Sequence, residues 1–276
     1  MLKIYGLIIL SLFGIINCAT SSSQSKKGCI NGDCNSGHGV YIDSEDGVYE
    51  GQFNNGNFNG RGKLNFTDGE SYNGDFKDGE FEGVGTLKMP SGEVYTGNFK
   101  NGVFEGEGTL SFPSGVRYEG QFKNGKFNGE GMLVFSTGEK YEGNFKEGKF
   151  EGEGNLALNS EKYIGKFQKG VYSGKGIIIY PSGRKYVGEF KDNKFDGKGT
   201  LTYPNGTVYV GEFKNGAFQG KGILTFNNGE KYIGDFKDGV YNGRGTLTYA
   251  DGSEMQGEFS NGKIVGAAEL VFPDTK

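Results

Sequence analysis

The sequence has no tryptophan, one histidine, three cysteines and five prolines in 276 residues, and no strong charge of either sign. Each shortage removes a class of answer. One histidine and three cysteines leave few parts for the nucleophile–base pairs of covalent catalysis. A formal charge of −4, from 30 basic and 34 acidic residues, has the wrong sign for neutralising phosphates, so no nucleic-acid partner is expected. Five prolines, with no glycine at every third position, exclude a collagen helix. Alanine and leucine, the residues that build helices, are scarce. What is abundant is glycine and rings: 53 Gly, 23 Phe and 16 Tyr. Glycine costs about 1 kcal/mol at a helical site, so a helical protein is out. Aromatic residues at 14% argue against disorder. The class left is an all-β protein that uses glycine and rings together, and the composition leans away from an enzyme.

Residues 1–17 read as an export signal. Lys3 supplies the positive start, and Leu7 to Ile16 form an apolar run too short to span a bilayer comfortably. Cys18 follows Ile15-Ile16-Asn17, which resembles a bacterial lipobox with Asn17 where Gly, Ala or Ser is usual. The resemblance implies cleavage before Cys18 and membrane attachment through its acyl chains, each buried CH₂ contributing about 0.8 kcal/mol. An ordinary signal peptide cut elsewhere, or an uncleaved anchor, is the alternative. Residues 18–28 are serine-rich and read as a flexible tether. Ala19 after the cysteine favours the outer membrane, so the expected location is the bacterial cell envelope.

From Tyr49 onward the chain repeats itself. Tyr49, Tyr72, Tyr95, Tyr118, Tyr141, Tyr163, Tyr186, Tyr209, Tyr232 and Met255 open ten copies spaced by 23 residues, with one spacing of 22 between Tyr141 and Tyr163. A fixed period with two turn signals per copy denotes an array of small units. In Tyr95-x-Gly97-x-Phe99 and Phe104-x-Gly106-x-Gly108-x-Leu110, residues two apart share one strand face. That face carries rings and glycines, and the opposite face carries polar residues. Glycine removes Cβ where a neighbouring ring lies flat. Asn101-Gly102 and Asp78-Gly79 mark hairpin tips; Asn193 replaces the glycine in one copy. The 22-residue copy has Asn159-Ser160-Glu161 at its second turn, where a local irregularity is expected.

The pattern Tyr-x-Gly-x-Phe-x-x-Gly-x-x-x-Gly-x-Gly at this period resembles the MORN repeat (membrane occupation and recognition nexus). The resemblance implies an elongated single-layer antiparallel β-hairpin solenoid of about ten repeats over residues 49–276, serving as a scaffold or binding surface. Met255, Asn193, and Ala267 with Ala268 depart from the motif. Residues 29–48 read as an N-terminal cap and half-repeat: Cys29-Ile-Asn-Gly32-Asp-Cys34 overlays Phe53-Asn-Asn-Gly56-Asn-Phe58, with Ser36 as an extra residue.

Several groups invite a functional reading. Cys29 and Cys34 flank an Asn-Gly turn in an exported chain, where disulfides persist. A zinc site would need two more ligands, with only His38 near. Glu105 and Glu107, or Glu151 and Glu153, imitate a glycosidase's carboxylate pair, but they recur at repeat positions on the polar face. Gly-x-Gly recurs without the helix that a dinucleotide fingerprint requires. No cofactor, metal or catalytic residue is expected. Lys77, Lys100, Lys123, Lys146, Lys191, Lys214 and Lys237 form a row that could meet an envelope lipid or glycan surface, but acidic neighbours such as Asp78 and Asp238 offset it. The preferred site is the ring-bearing face: Tyr72, Phe76, Phe81, Tyr95, Phe99, Phe104, Tyr118, Phe122, Phe127, Tyr141, Phe145, Phe150, Tyr186, Phe190, Phe195, Tyr209, Phe213 and Phe218. A single-layer sheet cannot bury both faces, and exposed apolar patches mark interaction sites. The expected partner is another protein or a second copy, held on that aromatic face.

Overall fold

The computed structural model describes residues 28–43 and 47–272, and all of the described chain is strand and turn. Cys18 and the expected signal lie outside the described residues. The contacts divide the chain into two units, one reaching to Gly138 and including Phe145–Lys149, the other comprising Glu139–Asn144 and everything from Phe150 onward.

Unit 1 contains β1 (Gly28–Gly32), β2 (His38–Asp43), β3 (Gly47–Asn54), β4 (Asn57–Asn65), β5 (Ser71–Lys77), β6 (Glu80–Lys88), β7 (Val94–Lys100), β8 (Val103–Ser111), β9 (Arg117–Lys123) and β10 (Lys126–Val134). Each pairs antiparallel with the next. Strand β11 (Lys140–Lys146) has residues in both units. Unit 2 holds β12 (Lys149–Leu158) except its first residue, β13 (Glu161–Gln168), β14 (Val171–Ile179), β15 (Lys185–Lys191), β16 (Lys194–Thr202), β17 (Val208–Lys214), β18 (Ala217–Thr225), β19 (Lys231–Lys237), β20 (Val240–Thr248), β21 (Glu254–Ser260) and β22 (Lys263–Val271). These also pair in chain order, each antiparallel to the next. The fold is thus all-β and built of consecutive hairpins.

Turn chemistry fixes this register. At the first turn of a repeat Asn101 and Gly102 both have positive φ, 49° and 75°, the two-residue geometry whose twist matches its flanking strands. Asn193 takes the glycine's place with φ 63°, as a short amide side chain tolerates. Neighbouring repeats are also tied at these tips: the Gly102 N–H donates to the Phe81 carbonyl at 2.9 Å, and Gly79 to Phe58 likewise. The second turn closes through Phe112 N–H to Val116 O (2.9 Å) and Gly115 N–H to Phe112 O (3.0 Å). In the 22-residue copy the expected irregularity is a tight turn, with Asn159 and Ser160 at φ 52° and 60° joining β12 directly to β13.

The amino-terminal hairpin differs from its expected alignment. Gly32 pairs with Gly39 as Gly51 pairs with Gly62, and Cys29 faces Tyr41 as Tyr49 faces Leu64. Cys29 therefore occupies a tyrosine slot, not a phenylalanine slot. The slot of Phe58 goes to Asn35, whose carbonyl accepts from Gly56 N–H as Phe58 accepts from Gly79. The reason is local: Asn31 and Gly32 belong to β1, and the chain turns at Asp33, whose carboxylate accepts from the Asn35 and Ser36 amides. Those two amides hold the Asp33 carboxyl below its ordinary pKa.

Candidate functional site

The rings expected to form a binding face are the core. Tyr95 lies over the cross-strand pair Gly97–Gly108, and a Cβ on Gly108 would stand 2.5–2.7 Å from the ring and its oxygen. The ring stacks on Phe104 at 3.8 Å between centroids and takes Phe99 and Phe122 edge-on, each at 5.0 Å. Phe122 belongs to the following repeat, so each tyrosine joins two hairpins. The same arrangement recurs at Tyr72, Tyr118, Tyr186 and Tyr209. Edge-to-face contacts of this kind add about 0.5–1.5 kcal/mol beyond burial.

Exposure corrects the expected aromatic surface. Tyr72, Tyr95, Tyr118, Tyr141, Tyr186 and Tyr209 are fully buried, and Phe76, Phe99, Phe122, Phe145, Phe190 and Phe213 nearly so. Phe81, Phe150 and Phe195 are buried too; only Phe104, Phe127 and Phe218 are half-buried. The single-layer reasoning failed because a tyrosine laid flat on two glycines is covered by backbone below and by three rings at its faces and edges. Each hydroxyl is also used: Tyr95 Oη donates to the Asn98 carbonyl at 2.8 Å, and Tyr118 Oη to the Gln121 carbonyl at 2.8 Å. Burial pushes the phenols of Tyr49, Tyr209 and Tyr232 up to about 12, and that of Tyr95 higher.

The first carboxylate of each pair has a structural use. Glu105 accepts from the Asn124 amide at the next hairpin tip (2.9 Å), as Glu82 accepts from Asn101 and Glu151 from Lys169. Cys29 and Cys34 are joined as a disulfide, their Cα atoms 5.9 Å apart. His38 is exposed. Among the described residues no cluster of three or more His, Cys, Asp or Glu is placed to hold a metal ion. The lysine row from Lys77 to Lys237 is exposed at the hairpin tips.

A surface that sequence reasoning passed over lies on the opposite face. The residue after each tyrosine pairs across strands with the residue after each Gly-x-Gly, giving one continuous row per unit. In unit 1 the row is polar between Val40 and Met132 at its ends: Glu50, Lys63, Asn73, Thr86, Thr96, Thr109 and Glu119 follow one another across the sheet, and the Thr86 and Thr96 hydroxyls bond at 3.1 Å. In unit 2 its middle is β-branched and mostly apolar, with Ile164, Ile177, Val187, Thr200, Val210, Ile223 and Ile233 lying between Asn155 on one side and Thr246 and Gln256 on the other. Val210 is 47% exposed and Ile233 43%. The signal was present in Val187, Val210 and Ile233, each next to its tyrosine, but its continuity depends on the pairing register.

Comparison with known proteins agrees with the repeat geometry. The MORN repeat model matches residues 49–71, 72–94, 95–117, 118–140, 141–156, 163–183, 186–208, 209–231, 232–254 and 256–275. No curated protein matches in sequence. Among solved structures, the chain is similar to the TCP10 domain of Danio rerio CPAP in complex with a peptide of STIL, at 12% identity and TM-score 0.43, covering 76% of this chain and 94% of that one. It is also similar to the SAS-4 TCP domain of Drosophila melanogaster in complex with a proline-rich motif of Ana2, at 12% identity and TM-score 0.35, covering 63% and 88%. Ten matched segments, spaced as the tyrosines and seated on successive hairpins, cover most of the sequence, and the chain belongs to the MORN repeat family.

Proposed function

We propose that the protein is a non-enzymatic repeat scaffold that binds another polypeptide at the bacterial envelope, tethered through an acylated Cys18. The carrying observation is the exposed β-branched row of unit 2. The fold does not need it, because unit 1 builds the same hairpins with threonine, asparagine and lysine at those positions. Contiguous exposed apolar surface of this kind marks interaction sites. The tether reading is supported by the sequence from Lys3 to Cys18 and by the serine-rich stretch after it.

The test places a photo-crosslinking side chain at Val210, or at Thr96 of the polar row, in cells producing the full chain. Crosslinked protein adducts from Val210 and none from Thr96 are expected; equal labelling from both, or none from either, refutes the binding reading. Cys18→Ala should move the protein out of the membrane fraction, and unchanged retention refutes the tether.

A further inference from the structure

We infer that the outer face of unit 2 is where two copies of this chain meet, face to face. The two-fold axis lies in the interface, parallel to the strands, and runs between β16 and β17. This rests on the protein-binding reading above and names the partner.

Three features carry it. The first is charge order. Beside the apolar row runs a second row of the same face, in which Lys175 pairs with Glu189, Lys198 with Glu212 and Lys221 with Asp235. Its signs alternate from β14 to β19. Rotation about a line between β16 and β17 reverses that order. Lys198 then meets Glu212 of the second copy, Glu189 meets Lys221, and Lys175 meets Asp235. Every cation faces an anion, and the isologous contact repeats each pair twice. Like charges meet at the edges of the face: Lys166 against Arg244 at the outer strands, and Lys194 near Lys214 at the hairpin-tip rim.

The second feature is the apolar row itself. The same rotation sets Thr200 against Val210, Val187 against Ile223 and Ile177 against Ile233, so that apolar side chains cover apolar side chains and the smallest, Thr200, sits next to the axis. The third is size. Eight strands, β13 to β20, spaced by about 4.8 Å, and three same-face rows about 6.8 Å apart give a face of about 40 by 20 Å, roughly 800 Å². That is the area each partner contributes to a standard stable interface. An extended peptide is a poorer occupant, because it binds by adding to a free strand edge, and β13 to β21 are each paired on both sides.

The full chain in detergent, followed by sedimentation equilibrium, tests this. A concentration-dependent dimer is expected. Val210→Lys should weaken it at least tenfold, while Thr96→Lys leaves it unchanged. Lys198→Glu and Glu212→Lys should each be monomeric alone, with parental circular dichroism, and should form a mixed dimer when combined. That rescue between chains cannot come from repairing a contact within one chain. A monomer at every concentration overturns the inference, as does a dimer indifferent to Val210→Lys or a mixture of the charge variants that stays monomeric. If the chain is monomeric and Val210 crosslinks to a different envelope protein, the binding reading stands and this one falls. If Val210 crosslinks to nothing, both fall.

Discussion

Gly108→Ala isolates the packing rule that builds the core. Gly108 lies in β8 without a left-handed φ, so alanine meets no backbone penalty there, and the whole effect is steric. The new Cβ would stand 2.5 Å from Tyr95 Oη and 2.6 Å from the ring, whereas carbon contacts settle at about 3.5–4.0 Å. The ring must retreat by about 1 Å. It has nowhere to go, with Phe104 stacked at 3.8 Å and the edges of Phe99 and Phe122 both at 5.0 Å. Overpacking costs about 1–3 kcal/mol, and the strained hydroxyl bond to Asn98 adds about 1 kcal/mol. A loss of about 2–4 kcal/mol is expected from urea titration, with hydrogen exchange rising in β7 to β9 first, since repeat stability is a sum of local and neighbour terms. In a Tyr95→Leu background the same alanine fits, so the two changes should couple by about 1–3 kcal/mol. A Gly108→Ala loss under about 0.5 kcal/mol, or an equal loss in both backgrounds, refutes the reasoning.

Other outcomes follow from the same contacts. Raised phenol pKa values, about 12 for Tyr49, Tyr209 and Tyr232, mean that the folded chain holds protons that the unfolded chain releases near pH 10. Stability from this source is complete below pH 10 and is lost as pH rises toward 12; absorbance at 295 nm should show tyrosinate appearing together with unfolding, and early titration of all tyrosines in folded protein contradicts this. Reducing Cys29–Cys34 should raise exchange in β1 and β2 and leave β5 to β9 unchanged, the gain from so short a loop lying at or below about 2–4 kcal/mol. Asn193→Ala should cost about 2 kcal/mol, because it strains a left-handed position and removes the oxygen that accepts from the Tyr172 amide at 2.7 Å. Asn193→Gly loses only the second, so its denaturation midpoint should fall between those of the parent and the alanine variant.

Repetition made most of the fold legible. Tyr-x-Gly-x-Phe recurring with two turn signals gives strand faces, hairpin tips and pairing order without any distance being known, and Asn193 could be placed as a glycine substitute from its side chain alone. Ring burial was not legible in the same way. Alternation says which side of the strand Tyr95 leaves from, but not that its ring folds down over Gly97 and Gly108 and is closed in by Phe122 of the next repeat. The amino-terminal cap was misaligned for a similar reason: Ser36 adds one residue, and whether the chain turns at Asn31-Gly32 or at Asp33 is decided by carboxylate-to-amide bonds that composition does not reveal. The outer row of unit 2 was in the sequence residue by residue. It becomes a surface only when register sets Val210 beside Ile223.

The joints between repeats are interchangeable parts. Tyr72 meets Phe99 at 5.1 Å, Tyr95 meets Phe122 at 5.0 Å and Tyr118 meets Phe145 at 5.0 Å, all within 4° of perpendicular. Excising one 23-residue period, from Tyr95 through Arg117, would present Tyr72 with Phe122 in place of Phe99 and close the seam with the same ring geometry. Gene duplication and deletion can therefore lengthen or shorten such a chain in whole periods without inventing a new interface. What the chain cannot exchange so freely is the residue beside each tyrosine on the outer face: shuffling periods between the threonine-bearing and the valine- and isoleucine-bearing stretches would keep the architecture and scramble its address.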